Sequence, residues 1–381
     1  MRKVYLDNAA TSNKKPDSVK EAVLNYYENI GSSPGRGGYK DSIKAGRIIL
    51  EARAKLAEFF NVPKPEQIIF THNVTYALNM GLKGILKPND HVITTTMEHN
   101  SVLRPLKGLE EKGIIEVDYI KCANDGTLDP NEIENYIKSN TKVIVITYAS
   151  NVTGTLMPVK EISKIANDHG IYFILDTAQA AGTYEIDFQD LKTDILAFTG
   201  HKGLMGPPGT GGFAVSKEIT ENMDSLIEGG TGSISDREYQ PDFLPDKFES
   251  GTMNTPGIAG LKAGIEFIEK TRLESIREHE LKLAEMFING LKKIEDINIL
   301  GPADLQKQAP TISITYKNQD LGQLSFLLDD KYGIMTRSGL HCAPYAHKTI
   351  GTFPEGTLRF SIGYFNTEDE INYALEKLKE F

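Results

Sequence analysis

Polar side chains that could do chemistry follow five apolar runs between residues 67 and 203. The runs have the composition of buried strands and read QIIF, HVITT, VIVITY, IYFILD and ILAFT. They lead into THNVTYALN, TMEHNS, ASNVTG, TAQAAG and GHKG, in that order. Ligands of parallel α/β sheets bind at the carboxyl ends of the strands, so we expect one site at this edge.

Lys202 follows the last of these runs, between two glycines and next to His201. A lysine just after a strand is usually a solvated surface group. Partial burial near other cations would lower the pKa of this amine and make it usable for Schiff-base chemistry. The GPPGTGG sequence that follows resembles a dinucleotide fingerprint only loosely, because it leads into the strand-like GFAVS and not into a helix. A nicotinamide cofactor is therefore disfavoured.

Asp176 and His99 lie at the ends of two other strands of the set. A lone aspartate in this position more often caps a helix or forms a salt bridge. A buried carboxylate needs a cation, however, and a protonated pyridine nitrogen would supply one. The ring of His99 is either a satisfied polar group or a group that stacks on a flat cofactor and exchanges protons. Taken alone, His99 favours the structural alternative.

Two further features could bind anions. Asn73, Val74 and Thr75 lie where a strand gives way to a helix, and backbone N–H groups at such a turn form an anion site. Simple N-capping by Asn73 or Thr75 is the alternative, and both can hold together. Arg359, in TLRFSIG, would commonly form a surface salt bridge, but its guanidinium also suits the α-carboxylate of an amino acid.

The chain has two cysteines, and their surroundings differ. Cys342 lies in TRSGLHCAPYAHKTIGT, which shows no helical or strand period, and the nearby Arg337 and His341 would favour its thiolate. Cys122, in YIKCAND, has no such neighbours and is interpreted as structural. Two cysteines are too few for a disulfide scaffold and lack the spacing of a zinc site. We expect free thiols and no metal.

Composition limits the partners of this chain. Its 381 residues carry a formal net charge of −10, which disfavours binding to nucleic acid and to anionic lipid. The start, MRKVYLDNAAT, lacks the apolar run of a signal peptide, and no segment is long and apolar enough to span a membrane. These features predict a cytoplasmic protein.

The order of elements predicts an α/β fold with two domains. Apolar strands alternate with amphipathic helices such as DSIKAGRIILEARAKLAEFF, which predicts βαβ crossovers and a mainly parallel sheet over residues 15–255. Residues 1–14 and 256–381 are predicted to form a smaller α+β domain that carries the Cys342 loop. This part begins with a helical stretch over residues 257–294. It ends with a helix whose Thr367 and Glu370 fit a capping box.

Eight strings together resemble the class V aminotransferase family of fold-type I pyridoxal-phosphate enzymes, and within it the cysteine desulfurases. They are YLDNAAT, EHNS, SNVTG, LDTAQ, TGHKG, FESGT, RSGLHCA and RFSIGYFNTEDE, and they run in the family's order from residue 5 to about residue 370. TGHKG with LDTAQ is specific for the family. RSGLHCA is specific for the desulfurases and is similar to the SufS and selenocysteine-lyase branch.

The resemblance implies a set of contacts with pyridoxal 5'-phosphate. Lys202 would bind the cofactor covalently, Asp176 would pair with its ring nitrogen, and His99 would stack on its ring. The turn at Asn73 would receive the phosphate, although Val74 stands where the family commonly has a hydroxyl residue. Further cofactor contacts would come from Thr75, Gln179, Thr199 and His201, from Asn151, and from Gly251 and Thr252 of the partner subunit.

The resemblance also implies the substrate contacts and the reaction. Asn151 and Arg359 would bind the substrate carboxylate, with Arg337 and His341 beside them. L-Cysteine would become L-alanine, and its sulfur would pass as a persulfide to Cys342. A homodimer and a sulfur-accepting partner protein would accompany this activity.

Three other functions stay open at this point. A selenocysteine lyase would use the same fold and cofactor, and its substrate differs from cysteine by one atom. A class V aminotransferase acting on another small amino acid would have no need of RSGLHCA. A non-catalytic sulfur carrier on a degenerate enzyme fold is disfavoured, because Lys202, Asp176, His99 and Arg359 are all present.

Overall fold

A computed structural model describes residues 2–35 and 37–381 of the chain. The strands, in chain order, are β1 (Val4–Tyr5), β2 (Ile68–Thr71), β3 (Asp90–Thr95), β4 (Ile115–Ile120), β5 (Thr141–Thr147), β6 (Tyr172–Asp176), β7 (Ile195–Thr199), β8 (Gly211–Val215), β9 (Ile297–Leu300), β10 (Thr311–Tyr316), β11 (Ile334–Met335), β12 (Arg337–Gly339) and β13 (Thr357–Ser361). The helices are α1 (Asp17–Asn29), α2 (Lys40–Phe59), α3 (Val74–Ile85), α4 (Asn100–Glu110), α5 (Val159–Asp168), α6 (Lys217–Thr220), α7 (Thr255–Thr271), α8 (Leu273–Leu291), α9 (Leu321–Tyr332), α10 (Pro344–Thr349) and α11 (Glu368–Leu378).

The larger sheet has seven strands in the order β2-β8-β7-β6-β5-β3-β4. The five strands at one side of this sheet, in the order β7-β6-β5-β3-β4, are parallel to one another. Strand β8 runs antiparallel to both β7 and β2. All residues of β7 and β8 are buried, as expected for strands that helices cover on both faces. The predicted α/β fold with a mainly parallel sheet is confirmed. The carboxyl ends of β3, β5, β6 and β7 consequently meet at one edge.

The smaller sheet has the order β12-β13-β10-β9, and all its pairs are antiparallel. The chain's first strand belongs beside it, because β1 pairs with β11 and packs into the same apolar cluster as β10 and β13. Thr367 and Glu370 form the predicted capping box at the start of α11. The proposed domain limits near residues 15 and 255 stay a prediction.

The helical stretch predicted over residues 257–294 is two helices in the structure. Helix α7 ends at Thr271 and α8 begins at Leu273, because Arg272 between them has a φ of 75°. An α-helix cannot continue through this left-handed conformation. Helical spacing runs on across the break, so the sequence pattern does not show it.

The loop that carries Cys342 lies between β12 and β13 and contains the short helix α10. The sequence pattern predicted no helix there. Pro344 opens α10, where its missing N–H costs nothing. Both cysteines are free; Cys122 is buried and Cys342 is exposed. Among the described residues, no helix is long and apolar enough to cross a membrane.

Candidate active site

A cavity of about 240 Å³ opens at the carboxyl edge of the large sheet. A larger cavity of about 370 Å³ lies beside it and shares Lys202 and Gln179 with it. The smaller one collects most of the residues that the sequence singled out. Its lining includes Asn73, Val74, Thr75, His99, Asn151, Asp176, Gln179, Thr199, His201, Lys202, Arg337, His341 and Arg359.

Lys202 and Asp176 both line this cavity, Asp176 at the end of β6 and Lys202 three residues after the neighbouring strand β7. Burial lowers the pKa of Lys202 to about 8, with Arg359 and Arg337 adding to the effect and Asp176 opposing it. Burial raises the pKa of Asp176 above its usual range. The Asp176 carboxylate accepts one hydrogen bond, from the Ala178 backbone N–H at 2.9 Å. Lys202 can therefore supply a neutral amine near neutral pH.

The start of α3 forms one end of the cavity. The Asn73 side chain accepts from the Tyr76 N–H at 3.2 Å, so the N-cap that the sequence offered as an alternative is present. The first amides of any helix lack intrahelical partners and can also face an anion. Near them, the Thr199 hydroxyl is buried and has no hydrogen-bond partner among residues 2–35 and 37–381. This end of the cavity thus has unused donors.

Ser101 is a lining residue that the sequence reasoning missed. Its hydroxyl lies 2.7 Å from the Thr75 Oγ1 and 2.8 Å from the His99 Nδ1, so it joins the two strand ends. The signal was present, because Ser101 closes the string EHNS.

His99 is a satisfied polar group, which was the structural alternative that the sequence offered, and stacking on a cofactor stays a prediction. Its Nδ1 accepts from the Ser101 N–H at 3.0 Å, which caps α4, while the ring lines the cavity. Burial, with Lys202 nearby, lowers the pKa of His99 to about 4, so the ring is neutral at physiological pH. Because Nδ1 accepts a backbone hydrogen bond, we place the ring proton on Nε2.

Arg359 is the buried cation of the site. The common surface salt bridge is ruled out, because the side chain is only 1% exposed. Its Nη2 lies 2.5 Å from the Asp7 Oδ1, and its Nη1 donates to the Asn151 carbonyl at 3.0 Å. The Asn151 Nδ2 in turn donates to the His341 carbonyl at 2.7 Å. Arg337 lies directly opposite Arg359 on the neighbouring strand.

Cys342 lies at the rim, next to the lining residue His341. The Arg337 Nη2 is 3.7 Å from its Sγ, and the Asn100 N–H donates to its carbonyl at 2.7 Å. The expectation that His341 also stabilises the thiolate is wrong. Its ring is buried and its Nε2 lies 2.9 Å from the Thr357 Oγ1, and burial holds its pKa far below the ordinary value. His341 therefore brings no positive charge.

Gly251 and Thr252 do not line this cavity. They line a separate one of about 230 Å³, together with Thr71, His72 and Tyr76 behind the turn that opens α3. No group of three or more His, Cys, Asp or Glu side chains in the described parts of the chain could hold a metal ion.

Comparison with known proteins points to one family. The profile of the class V aminotransferases (Aminotransferase class-V) matches residues 4–374. A probable cysteine desulfurase of Methanothermobacter thermautotrophicus is 35% identical over 99% of this chain and 94% of its own. A cysteine desulfurase of Haloferax volcanii is 31% identical over 98% of this chain and 88% of its own.

Solved structures agree with these relatives. The apo structure of the cysteine desulfurase of Thermococcus onnurineus superposes with a TM-score of 0.93 at 35% identity, covering 99% of this chain and 94% of the other. The cysteine desulfurase CsdA of Escherichia coli gives a TM-score of 0.89 at 25% identity, with the same coverage of 99% and 94%.

Proposed function

The chain belongs to the class V aminotransferase family, and on that basis we propose that it is a pyridoxal-phosphate-dependent cysteine desulfurase. The names of its relatives support this activity. The observation that carries it is the position of Cys342. This exposed thiol lies beside Arg337, at the rim of a cavity that also holds Lys202 and Arg359.

The residues present fit pyridoxal phosphate. Asp176 is a buried carboxylate without a cationic hydrogen-bond partner among the described residues, and a ring nitrogen would satisfy it. Thr199 is a buried hydroxyl that lacks an acceptor in the described chain, and a phosphate would supply one. Lys202 has an amine with a lowered pKa in the same cavity. When bound, the cofactor supplies an electron sink for the bonds at the α-carbon of the substrate.

The protein's own groups then have separate tasks. Arg359 and Asn151 bind the substrate carboxylate and orient the amino acid. Lys202, in its neutral form, takes the proton from the substrate α-carbon. Asp176 keeps a negative charge beside the ring nitrogen. The neutral ring of His99 covers the cavity from one side and presents its Nε2–H to it.

Cys342 receives the sulfur. Its thiolate, stabilised by Arg337, attacks the sulfur of L-cysteine, so that an S–S bond forms and the C–S bond breaks. The electron pair of the broken bond stays with carbon, which takes up a proton and leaves as L-alanine. Cys342 is left as a persulfide. Because Cys342 is exposed, an acceptor thiol, on a partner protein or a small molecule, can take this sulfur.

The test is to supply the purified protein with cofactor, L-cysteine and dithiothreitol and to measure alanine and sulfide together. Equal amounts of both are expected, and Cys342→Ala should abolish both. Cys122→Ala, which changes the buried cysteine, should retain both products. If the Cys342→Ala variant releases sulfide at the wild-type rate, the proposed role of Cys342 is wrong. Activity on selenocysteine alone would instead identify a selenocysteine lyase.

The proposal includes a homodimer. Gly251 and Thr252 lie outside the cavity of their own chain, and in the dimer they would contact the phosphate end of the partner's site. Sedimentation equilibrium at micromolar concentration should give twice the chain mass of 42.2 kDa. A cytoplasmic location stays a prediction from the sequence.

A further inference from the structure

Asp7 forms an ion pair with Arg359, and the two side chains are 18% and 1% exposed. The Asp7 Oδ1 is 2.5 Å from the Arg359 Nη2, although the two residues lie 352 positions apart. A buried guanidinium without an anion would be strongly destabilising, so one function of Asp7 is to neutralise it. Arg359 Nε is buried and has no partner in the described part of the chain. Both terminal nitrogens of the guanidinium thus have partners, Asp7 and the Asn151 carbonyl, and among the described residues only Nε lacks one.

The backbone fixes the Asp7 carboxylate in this place. The Ser361 N–H donates to the Leu6 carbonyl at 2.7 Å, and the Asn8 N–H donates to the Ser361 carbonyl at 3.3 Å. These bonds attach the segment around Asp7 to the edge of β13, two residues from Arg359. The Tyr5 hydroxyl donates to the Asp7 carbonyl at 3.1 Å. A substrate carboxylate must therefore bind Arg359 with Asp7 still close by.

We propose that Asp7 is a resident carboxylate that lowers the affinity of Arg359 for the α-carboxylate of amino acids. Arg337 lies opposite Arg359, so without Asp7 two cations would face the bound carboxylate with no anion beside them. L-Alanine, the product, carries the same carboxylate as L-cysteine. A contact with the carboxylate that is equally strong in the substrate and in the transition state lowers KM without accelerating the chemical step, and it holds the product as well. Asp7 thus weakens the binding of both L-cysteine and L-alanine and favours release of the product. This inference rests on the proposed function.

The test compares two ligands on the cofactor-loaded enzyme. L-Alanine and ethylamine share the amino group and the carbon skeleton around it, but ethylamine lacks the carboxylate. In Asp7→Asn, which keeps the shape and the acceptor oxygen, we expect L-alanine to bind about tenfold more tightly. Ethylamine should bind within about twofold of its wild-type affinity. Isothermal titration calorimetry on both ligands gives the ratio.

Two controls separate charge from structure. Asp7→Glu, which keeps the charge, should not tighten the binding of L-alanine. Asp17→Asn, which changes an exposed aspartate paired with Lys20, should leave both affinities unchanged. If a folded, cofactor-loaded Asp7→Asn binds L-alanine no more tightly than the wild type, the proposal is overturned. An equal gain for ethylamine would overturn it as well.

Two further measurements keep the test decisive. If Asp7→Asn does not fold, the wild-type ratio of the two dissociation constants decides: the proposal expects L-alanine to bind less than about thirtyfold more tightly than ethylamine. A ratio of about thirtyfold or more would contradict it. Alanine release from L-cysteine is measured separately. Its absence in the wild type would reject the desulfurase function, whereas the ligand comparison would still report on Asp7.

Discussion

The Nη2 atom of Arg337 lies 3.7 Å from the Sγ of Cys342, and the backbone between them makes this approach possible. His341 and Cys342 have φ values of 48° and 59°, which lie in the left-handed region that residues other than glycine rarely adopt. Such residues cost about 1–3 kcal/mol each and persist only where the surroundings hold them. Hydrogen bonds from Asn100 and Asn151 do so here. The strained turn places the thiol next to a cation.

Replacing Arg337 by Gln should lower the reactivity of Cys342. Without the guanidinium the thiolate loses its nearest positive charge, and we expect alkylation by iodoacetamide at pH 7 to slow at least about threefold. The rate is followed by mass spectrometry of the intact chain. Arg104→Gln is the control: it removes an exposed cation on α4 and should change the alkylation rate much less. An unchanged rate in Arg337→Gln would mean that this contact does not stabilise the thiolate.

Cofactor loading should depend on pH through Lys202. Only the neutral amine attacks the aldehyde of pyridoxal phosphate, and the pKa of Lys202 is lowered to about 8. The neutral fraction therefore grows as pH rises and is nearly complete above pH 9. We expect the rate of reconstitution of the apoprotein, measured by visible absorbance, to rise from pH 6.5 and to level off after pH 8. A rate that still rises tenfold per unit at pH 9.5 would indicate an ordinary lysine.

Removing the Thr199 hydroxyl should weaken cofactor binding without harming the apoprotein. The hydroxyl is buried and unpaired in the described chain, so Thr199→Val removes an unsatisfied group, and the melting temperature of the apoprotein should stay or rise. The dissociation constant for pyridoxal phosphate should increase about tenfold, or about 1.4 kcal/mol. Thr193→Val is the matched control, because the Thr193 hydroxyl is also buried and has no partner among the described residues but lies outside the cavity. Equal cofactor affinities in the two variants would contradict the proposed contact.

Removing one partner of the buried ion pair between Arg53 and Glu249 should destabilise the fold. Their side chains are 4% and 9% exposed, and two nitrogens of Arg53 each donate to a different oxygen of Glu249 at 2.8 Å. Because Glu249→Gln leaves a buried guanidinium uncompensated, we expect the free energy of unfolding in urea to fall by about 3–5 kcal/mol. Asp190→Asn breaks an exposed pair with Lys160 and should leave the urea midpoint unchanged.

Much of the site could be predicted because the relevant residues follow strands. The carboxyl ends of parallel strands share an edge, so the positions of Asp176, Lys202 and His99 along the chain fix their proximity in space. Asp7 could not be assigned this way. Its partner, Arg359, is 352 residues distant, and the contact depends on the isolated bridge that joins Asp7 to Ser361 at the end of β13.

Local geometry accounts for the other differences. The helix breaks at Arg272, although neither a glycine nor a proline stands there to indicate it. The positive φ of this residue does not change the spacing of apolar side chains, so the pattern could not predict the break. His341 stands next to Cys342 in sequence, yet its ring points into the small domain toward Thr357. Adjacency in sequence predicts where a backbone goes more reliably than where a side chain points.

The contrast between the two cysteines makes Cys342 a built-in reporter. Cys122 is buried, and burial raises its pKa to about 12. A maleimide or a disulfide reagent at pH 7 should therefore not react with Cys122 in the folded protein. One equivalent of label per chain would then count competent subunits directly. The same reaction would attach a fluorophore or a spin probe to Cys342 without any substitution in the chain. After incubation with L-cysteine the label would attach to the outer sulfur of the persulfide, and a reductant would release it by cleaving the S–S bond. Label that a reductant removes would then report the loaded state.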